Sequence, residues 1–224
     1  MGEMIRFQRP DGKDCPAYEA TSKSGASGPA IVVVQEWWGL NPQIKKTADR
    51  FAEAGYRAIV PDLFRGKLAK NADEASHLMG TLDFLDAAGQ DVAGAVGYLK
   101  KSGAKVAVGG FCMGGALTIL SALCVNGVDA GVCFYGMPPA AIADPSKITI
   151  PMIYHFAKHD DWVTPAVVDA LEKAVANTKA PHDIFRYDAH HAFMNEARPE
   201  VYDAAAAKTA WERTLSFLQK SLSG

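Results

Sequence analysis

A chain of 224 residues, 49% hydrophobic and 21% charged, has the make-up of an ordinary globular α/β domain and buries a large core without disulfide or metal staples. With 23 Lys and Arg against 25 Asp and Glu, the formal net charge is −2, which excludes a basic field for nucleic acid or anionic lipid. No window nears the roughly 18 apolar residues of a membrane span, the N-terminal MGEMIRFQRP lacks the apolar centre of a secretory signal, and four scattered cysteines form no CxxC pair.

The expected setting is therefore reduced and cytoplasmic, with no nucleic-acid or membrane partner. No oligomeric state is written in the sequence, and a monomer is the default.

In chain order, MIRFQRPDGKDCPAY (residues 4–18) reads as a β-hairpin turned at Asp11-Gly12. TSKSGASGP (21–29) reads as a loop. AIVVVQE (30–36) is a continuous β-branched run, the pattern of a strand buried on both faces. NPQIKKTADRFAEAGY then places Ile44, Ala48, Phe51 and Ala52 on one helical face, with Asn41 as cap, Pro42 at the first position and Gly55 at the stop. RAIVPDLF returns to strand.

Residues 71–80 read as a short helix, and residues 88–100 as a longer one whose Ala88, Val92, Ala95, Val96 and Leu99 share a face. KVAV is the next strand and LTILSALC the next helix. AGVCFYG (130–136) and PMIYHFA (151–157) are strands, Val167, Val168, Leu171 and Val175 form a helical stripe, and HDIFRYD (182–188) alternates as a strand. A last helix carries Ala207, Trp211, Thr214, Leu215 and Leu218. This alternation predicts one α/β domain over residues 1–224: a mostly parallel sheet with helices on both faces, preceded by an antiparallel hairpin.

The stretch GGFCMGGA (109–116) sits where a strand hands over to a helix, and its G-x-Cys-x-G core has the form of a nucleophile elbow with Cys112 in the nucleophile position. Such a turn forces the nucleophile into strained backbone angles and brings two backbones too close for Cβ atoms, which accounts for the glycines. It also aims the N–H of Met113 at the place where an oxyanion would form. The plainer reading is a small buried cysteine in a glycine-rich turn. A phosphate loop is disfavoured by the missing Lys-Ser/Thr.

A nucleophile requires a base, and the base an orienting acid. HDDW offers Asp160 and Asp161 just past one strand, and AHHAF offers His190 and His191 just past the next. The order nucleophile, acid, histidine is that of α/β-hydrolases. A metal site using His155, His159 and the later histidines is the rival; its spacing suits a helix, whereas this segment reads as strand and loop.

Taken together, QEWWGLN (35–41), PDLF (61–64), GGFCMGG (109–115), CFYG (133–136), HDDWVTP (159–165) and HHAF (190–193) make nearly the whole chain similar to the dienelactone hydrolase family of α/β-hydrolases. The resemblance implies Asp160 rather than Asp161 as acid and His191 rather than His190 as base. It adds Glu36, which in relatives contacts the resting thiol, and the Trp37 N–H as second oxyanion donor beside that of Met113. It implies no cofactor and no metal. The partner it implies is a small-molecule ester or lactone, opened through a thioester on Cys112. An acyltransferase or thioesterase would use the same residues, and a non-catalytic binding protein would share the scaffold.

The arginines that hold an anionic dienelactone in relatives have no clear match. Residues 192–195 carry none, Arg198 comes later, Arg65 comes early, and residues 73–82 are without one. Trp37, Trp38, Tyr135 and Phe193 are therefore expected to wall an aromatic pocket, with His77 as a polar group, for a neutral or bulky ester. Cys124 and Cys133 read as core, and Cys15 as exposed after the hairpin turn.

Overall fold

All five residues of β3 (Ala30–Val34) are buried, as are all six of β5 (Val106–Phe111) and all five of β6 (Ala130–Phe134). Strands covered on both faces belong at the centre of a sheet. The computed structural model describes residues 2–22 and 28–223, and it shows one eight-stranded sheet in the order β1-β2-β4-β3-β5-β6-β7-β8. The chain has the α/β-hydrolase fold. The remaining strands are β1 (Glu3–Gln8), β2 (Asp14–Ala20), β4 (Arg57–Pro61), β7 (Met152–His159) and β8 (His182–His190). Of these, β1 and β2 form the expected antiparallel hairpin and β2 pairs antiparallel with β4; every pair from β4 to β8 is parallel. The loop expected at 21–29 lies largely outside the described residues.

Helices cover both faces. On one, α1 (Pro42–Glu53) and α7 (Ala204–Leu222) bury Ile44, Phe51, Ala210 and Leu218 against Ile31, Val33 and Val132. On the other, α4 (Ala93–Lys100), α5 (Met113–Cys124) and α6 (Pro165–Val175) cover Val32, Val108 and Tyr154. The cap signals hold for α1: Asn41 Oδ1 accepts from the Ile44 N–H at 3.0 Å, Pro42 opens the helix, and Gly55 follows it at φ 102°.

Helix α2 (Ala72–Gly80) falls where the sequence places it. The helix expected from residue 88 starts earlier, at α3 (Phe84–Asp86), where Asp83 accepts from the Leu85 and Asp86 N–H groups. It then passes through a π-helical segment, Ala87–Val92, before α4. Within the π segment Ala88 and Val92 are buried, as the stripe expects; the beginning is missed because α3 buries no side chain and so adds nothing to the stripe.

Three sequence expectations are corrected. The run RAIVPDLF leaves the sheet at Pro61, because Asp62 draws the Phe64 and Gly66 N–H groups into a turn. Cys15 is fully buried, facing the α4 layer, and burial pushes its thiol up to about 12. Cys124 is exposed at the last turn of α5; Cys133 is core, as expected.

Candidate active site

The sheet register lines up the site. Val34 on β3 lies opposite Gly110 on β5, so two residues on, Glu36 comes level with Cys112. Phe111 lies opposite Phe134 on β6, which brings Tyr135 level with Cys112 from the other side. The C-terminal edge of adjacent parallel strands is where such a fold gathers chemistry.

Cys112 sits between β5 and α5 at φ 54°, ψ −116°, a left-handed conformation that a side chain disfavours. Backbone hydrogen bonds hold it there: its N–H donates to the Phe134 carbonyl at 3.0 Å, and its carbonyl accepts from the Ala116 N–H at 3.1 Å. A Cβ at Gly110 would run into the Gly114 carbonyl, and one at Gly114 into the carbonyls of Val34 and Gln35. This is the crowding expected on either side of the elbow. Cys112 itself is half-buried, and Met113, the first residue of α5, has an N–H that the helix leaves without an acceptor.

The acid and the histidine come from the next pair of strands. His159 on β7 is in register with His190 on β8, so the residues that follow, Asp160 and His191, are neighbours. Asp160 is buried, and one of its oxygens accepts from the N–H groups of Trp162 (2.8 Å) and Val163 (2.9 Å). The other accepts from His191 Nδ1 at 2.7 Å, a bond that assigns the ring proton to Nδ1. Asp161 and His190 are exposed, and His190 leans on the His159 ring instead.

The second nitrogen of His191, Nε2, is buried and has no hydrogen-bond partner, and the nearby Cys112 sulfur bears on the ring. Burial lowers the pKa of His191. The Asp160 hydrogen bond and the Cys112 sulfur outweigh it and push it up to about 10. The arrangement favours a protonated His191 beside the Cys112 sulfur.

Glu36 is 4% exposed. Its carboxylate accepts from the Tyr135 hydroxyl at 3.2 Å and from Asn195 Nδ2 at 2.6 Å, and not from the Cys112 thiol as the resemblance implied. Burial raises its pKa. The Asn195 bond, the charge of His191 and the Tyr135 bond oppose that rise, with a weaker contribution from Arg198.

The hollow over Cys112 measures about 50 Å³. Trp37 and Trp38 line it, as expected, together with Glu36, Cys112 and His191. Three of the expected pocket residues lie elsewhere. Tyr135 and Phe193 are fully buried, packed edge-on against each other, because each turns into the layer between the sheet and α7. His77 is exposed on α2 and does not reach the hollow. Met79, Trp162, Ala192 and Arg198 take their place. The Arg198 guanidinium lies over the Trp38 ring, 5.6 Å from its centroid, and its Nε donates to Glu200 at 2.8 Å. Arg65 is remote, bound to Asp91 and to the Asp62 carbonyl.

His155 and His159 do not converge. His155 is buried between Phe134 and Phe185, hydrogen-bonded to Tyr187 and Thr214, while the exposed His159 pairs with Asp188. Among the described residues no group of three or more His, Cys, Asp or Glu is placed to hold a metal ion, and no helix is long and apolar enough to cross a membrane.

Similarity to known proteins places the chain in a family. The chain is 36% identical to Protein usf of Aquifex pyrophilus, over 99% of this chain and all of that one. It is 32% identical, with the same coverage, to a protein of Aquifex aeolicus provisionally assigned as a carboxymethylenebutenolidase. The crystal structure of a provisionally assigned dienelactone hydrolase from Klebsiella pneumoniae superposes with a TM-score of 0.84 at 25% identity, covering 98% of this chain and 99% of the other. Residues 15–222 match the model of the dienelactone hydrolase family, and the chain belongs to that family of hydrolases.

Proposed function

We propose that this protein hydrolyses carboxylic esters and lactones with Cys112 as nucleophile, His191 as acid and base, and Asp160 as the group that orients the histidine. The observation that carries the reading is the 2.7 Å bond from His191 to the buried Asp160, which leaves Nε2 for the sulfur. Relatives named as carboxymethylenebutenolidases support ester or lactone as the bond cleaved.

In this cycle the Cys112 thiolate attacks the carbonyl carbon, and the charge that moves to oxygen meets the N–H groups of Met113 and Trp37. The C–O bond breaks, the leaving oxygen takes the Nε2 proton of His191, and a thioester remains. Neutral His191 then removes a proton from water. The resulting hydroxide attacks the thioester, the thiolate departs, and the imidazolium–thiolate pair is restored as the acid product leaves. Asp160 holds the ring in its orientation throughout and stabilises the imidazolium.

Cys112→Ala should lower kcat/KM for p-nitrophenyl acetate by about 10³-fold or more. A variant that keeps most of the wild-type rate would overturn the assignment. Acid release measured against competing alcohols and thiols separates hydrolysis from acyl transfer, which uses the same groups.

A further inference from the structure

Trp162 is 63% exposed, more than any other large apolar side chain among the described residues. An indole left in water two positions after the triad acid asks for an explanation. Its place is fixed by the site, because its N–H is one of the two that Asp160 accepts. Its ring stands edge-on to Trp37 at 5.5 Å and lies 6.4 Å from the His191 ring.

The same indole walls a second hollow. A groove of about 550 Å³ runs between the segment after β6, with Met137, Pro138 and Ala143, and the face of α6 that carries Val167, Ala170 and Leu171. Among the described residues, none lining it bears a charge. Alanines at 170 and 174 leave its width open.

The two volumes imply a division of labour. A cavity needs roughly 10–15 Å³ on this measure to hold one water, so the about 50 Å³ over Cys112 has room for the ester carbonyl and a few neighbouring atoms. The rest of any larger ester lies outside that hollow. The leaving oxygen must sit at His191 to receive its proton, so its substituent starts beside His191, and Trp162 is the neighbour there. Crossing the exposed indole leads into the uncharged groove.

We propose that the groove beyond Trp162 is the subsite for an apolar alkyl or aryl arm on the alcohol side of the ester, with the indole as the wall shared by both hollows. The proposal rests on the hydrolase reading above. It identifies the favoured substrate class as esters of hydrophobic alcohols.

A series of primary alkyl acetates, from methyl to hexyl, keeps the acyl group and the leaving-group chemistry nearly constant. In the wild-type protein kcat/KM should rise about twofold per added methylene, half the roughly fourfold of complete burial, because the groove is open on one side. Ala170→Trp, at an exposed position of α6, fills the groove and should bring the hexyl-to-methyl ratio close to one. A flat wild-type series, or a rise that Ala170→Trp leaves intact, would overturn the proposal. Binding of octan-1-ol to the Cys112→Ala protein, followed by calorimetry, reads the groove without turnover. Saturable binding that Ala170→Trp weakens at least tenfold supports the subsite, and no binding overturns it. Absence of Cys112-dependent ester cleavage would instead count against the hydrolase reading alone.

Discussion

Asn195 and Glu36, 159 positions apart in the chain, meet through a 2.6 Å hydrogen bond between two buried side chains, the second of which lines the hollow over Cys112. With the Tyr135 hydroxyl on the other oxygen, both donors to this carboxylate are neutral. The two bonds therefore hold the group in place with neutral donors, and the opposing charge comes from His191. On the proposed mechanism a carboxylate free to approach the sulfur would disfavour the thiolate, so the clamp would preserve the reactivity of Cys112.

Asn195→Ala removes the shorter of the two bonds. The folded protein should lose about 1–3 kcal/mol, as for a buried charged group deprived of a partner. Alkylation of Cys112 by iodoacetamide at neutral pH should slow severalfold. The double variant Asn195→Ala/Glu36→Gln, which has no charge to release, should recover most of that rate. An unaltered alkylation rate in the single variant would rule out the clamp.

The elbow makes a sharper steric prediction. A methyl at Gly114 meets the carbonyls of Val34 and Gln35, backbone atoms of a central strand and its extension that cannot move aside. Gly114→Ala should destabilise by at least about 3 kcal/mol. Gly97, on the exposed side of α4, has nothing near the same methyl, and Gly97→Ala should stabilise by about 0.5–1 kcal/mol through the entropy of the unfolded chain. Urea midpoints measure both. Similar midpoints for the two variants would mean that the elbow has more room than these contacts allow.

The contrast between Gly114 and Tyr135 shows what one sequence carries. The glycines at 110 and 114 declare the elbow because only a close backbone approach requires them, and the strand order then delivers Glu36, Asp160 and His191 to the same edge. Pocket walls obey no such constraint. Tyr135 follows a buried strand at φ 38° and turns inward, so an aromatic beside the motif ends up in the core. Met79 and Arg198 reach the hollow from α2 and from the segment after β8, whose paths depend on tertiary packing. Trp162 stands within HDDWV: a large apolar residue two places after Asp160, in a loop, was the available sign of an exposed indole beside the site.

His155 supplies a pH prediction away from the candidate site. It lies fully buried, stacked between Phe134 and Phe185, with Nδ1 bonded to the Tyr187 hydroxyl at 2.8 Å and Nε2 to Thr214 Oγ1 at 3.0 Å. Neither hydroxyl carries a charge. Burial, and secondarily the charge of Arg213, lower its pKa to about 3. The unfolded chain binds the proton near pH 6.5 and the folded chain does not until about pH 3. Stability from this group is thus complete above pH 6.5 and falls as the pH drops through that window, at up to about 1.4 kcal/mol per pH unit. His155→Gln keeps an amide for Thr214 and cannot titrate. Its stability at pH 7 should be lower than wild type, but the gap should narrow steadily between pH 6.5 and 4 in urea titrations. Parallel curves for the two proteins over that range would show that the buried imidazole takes up its proton without unfolding, and that the hydroxyls around it rearrange to accommodate the charge.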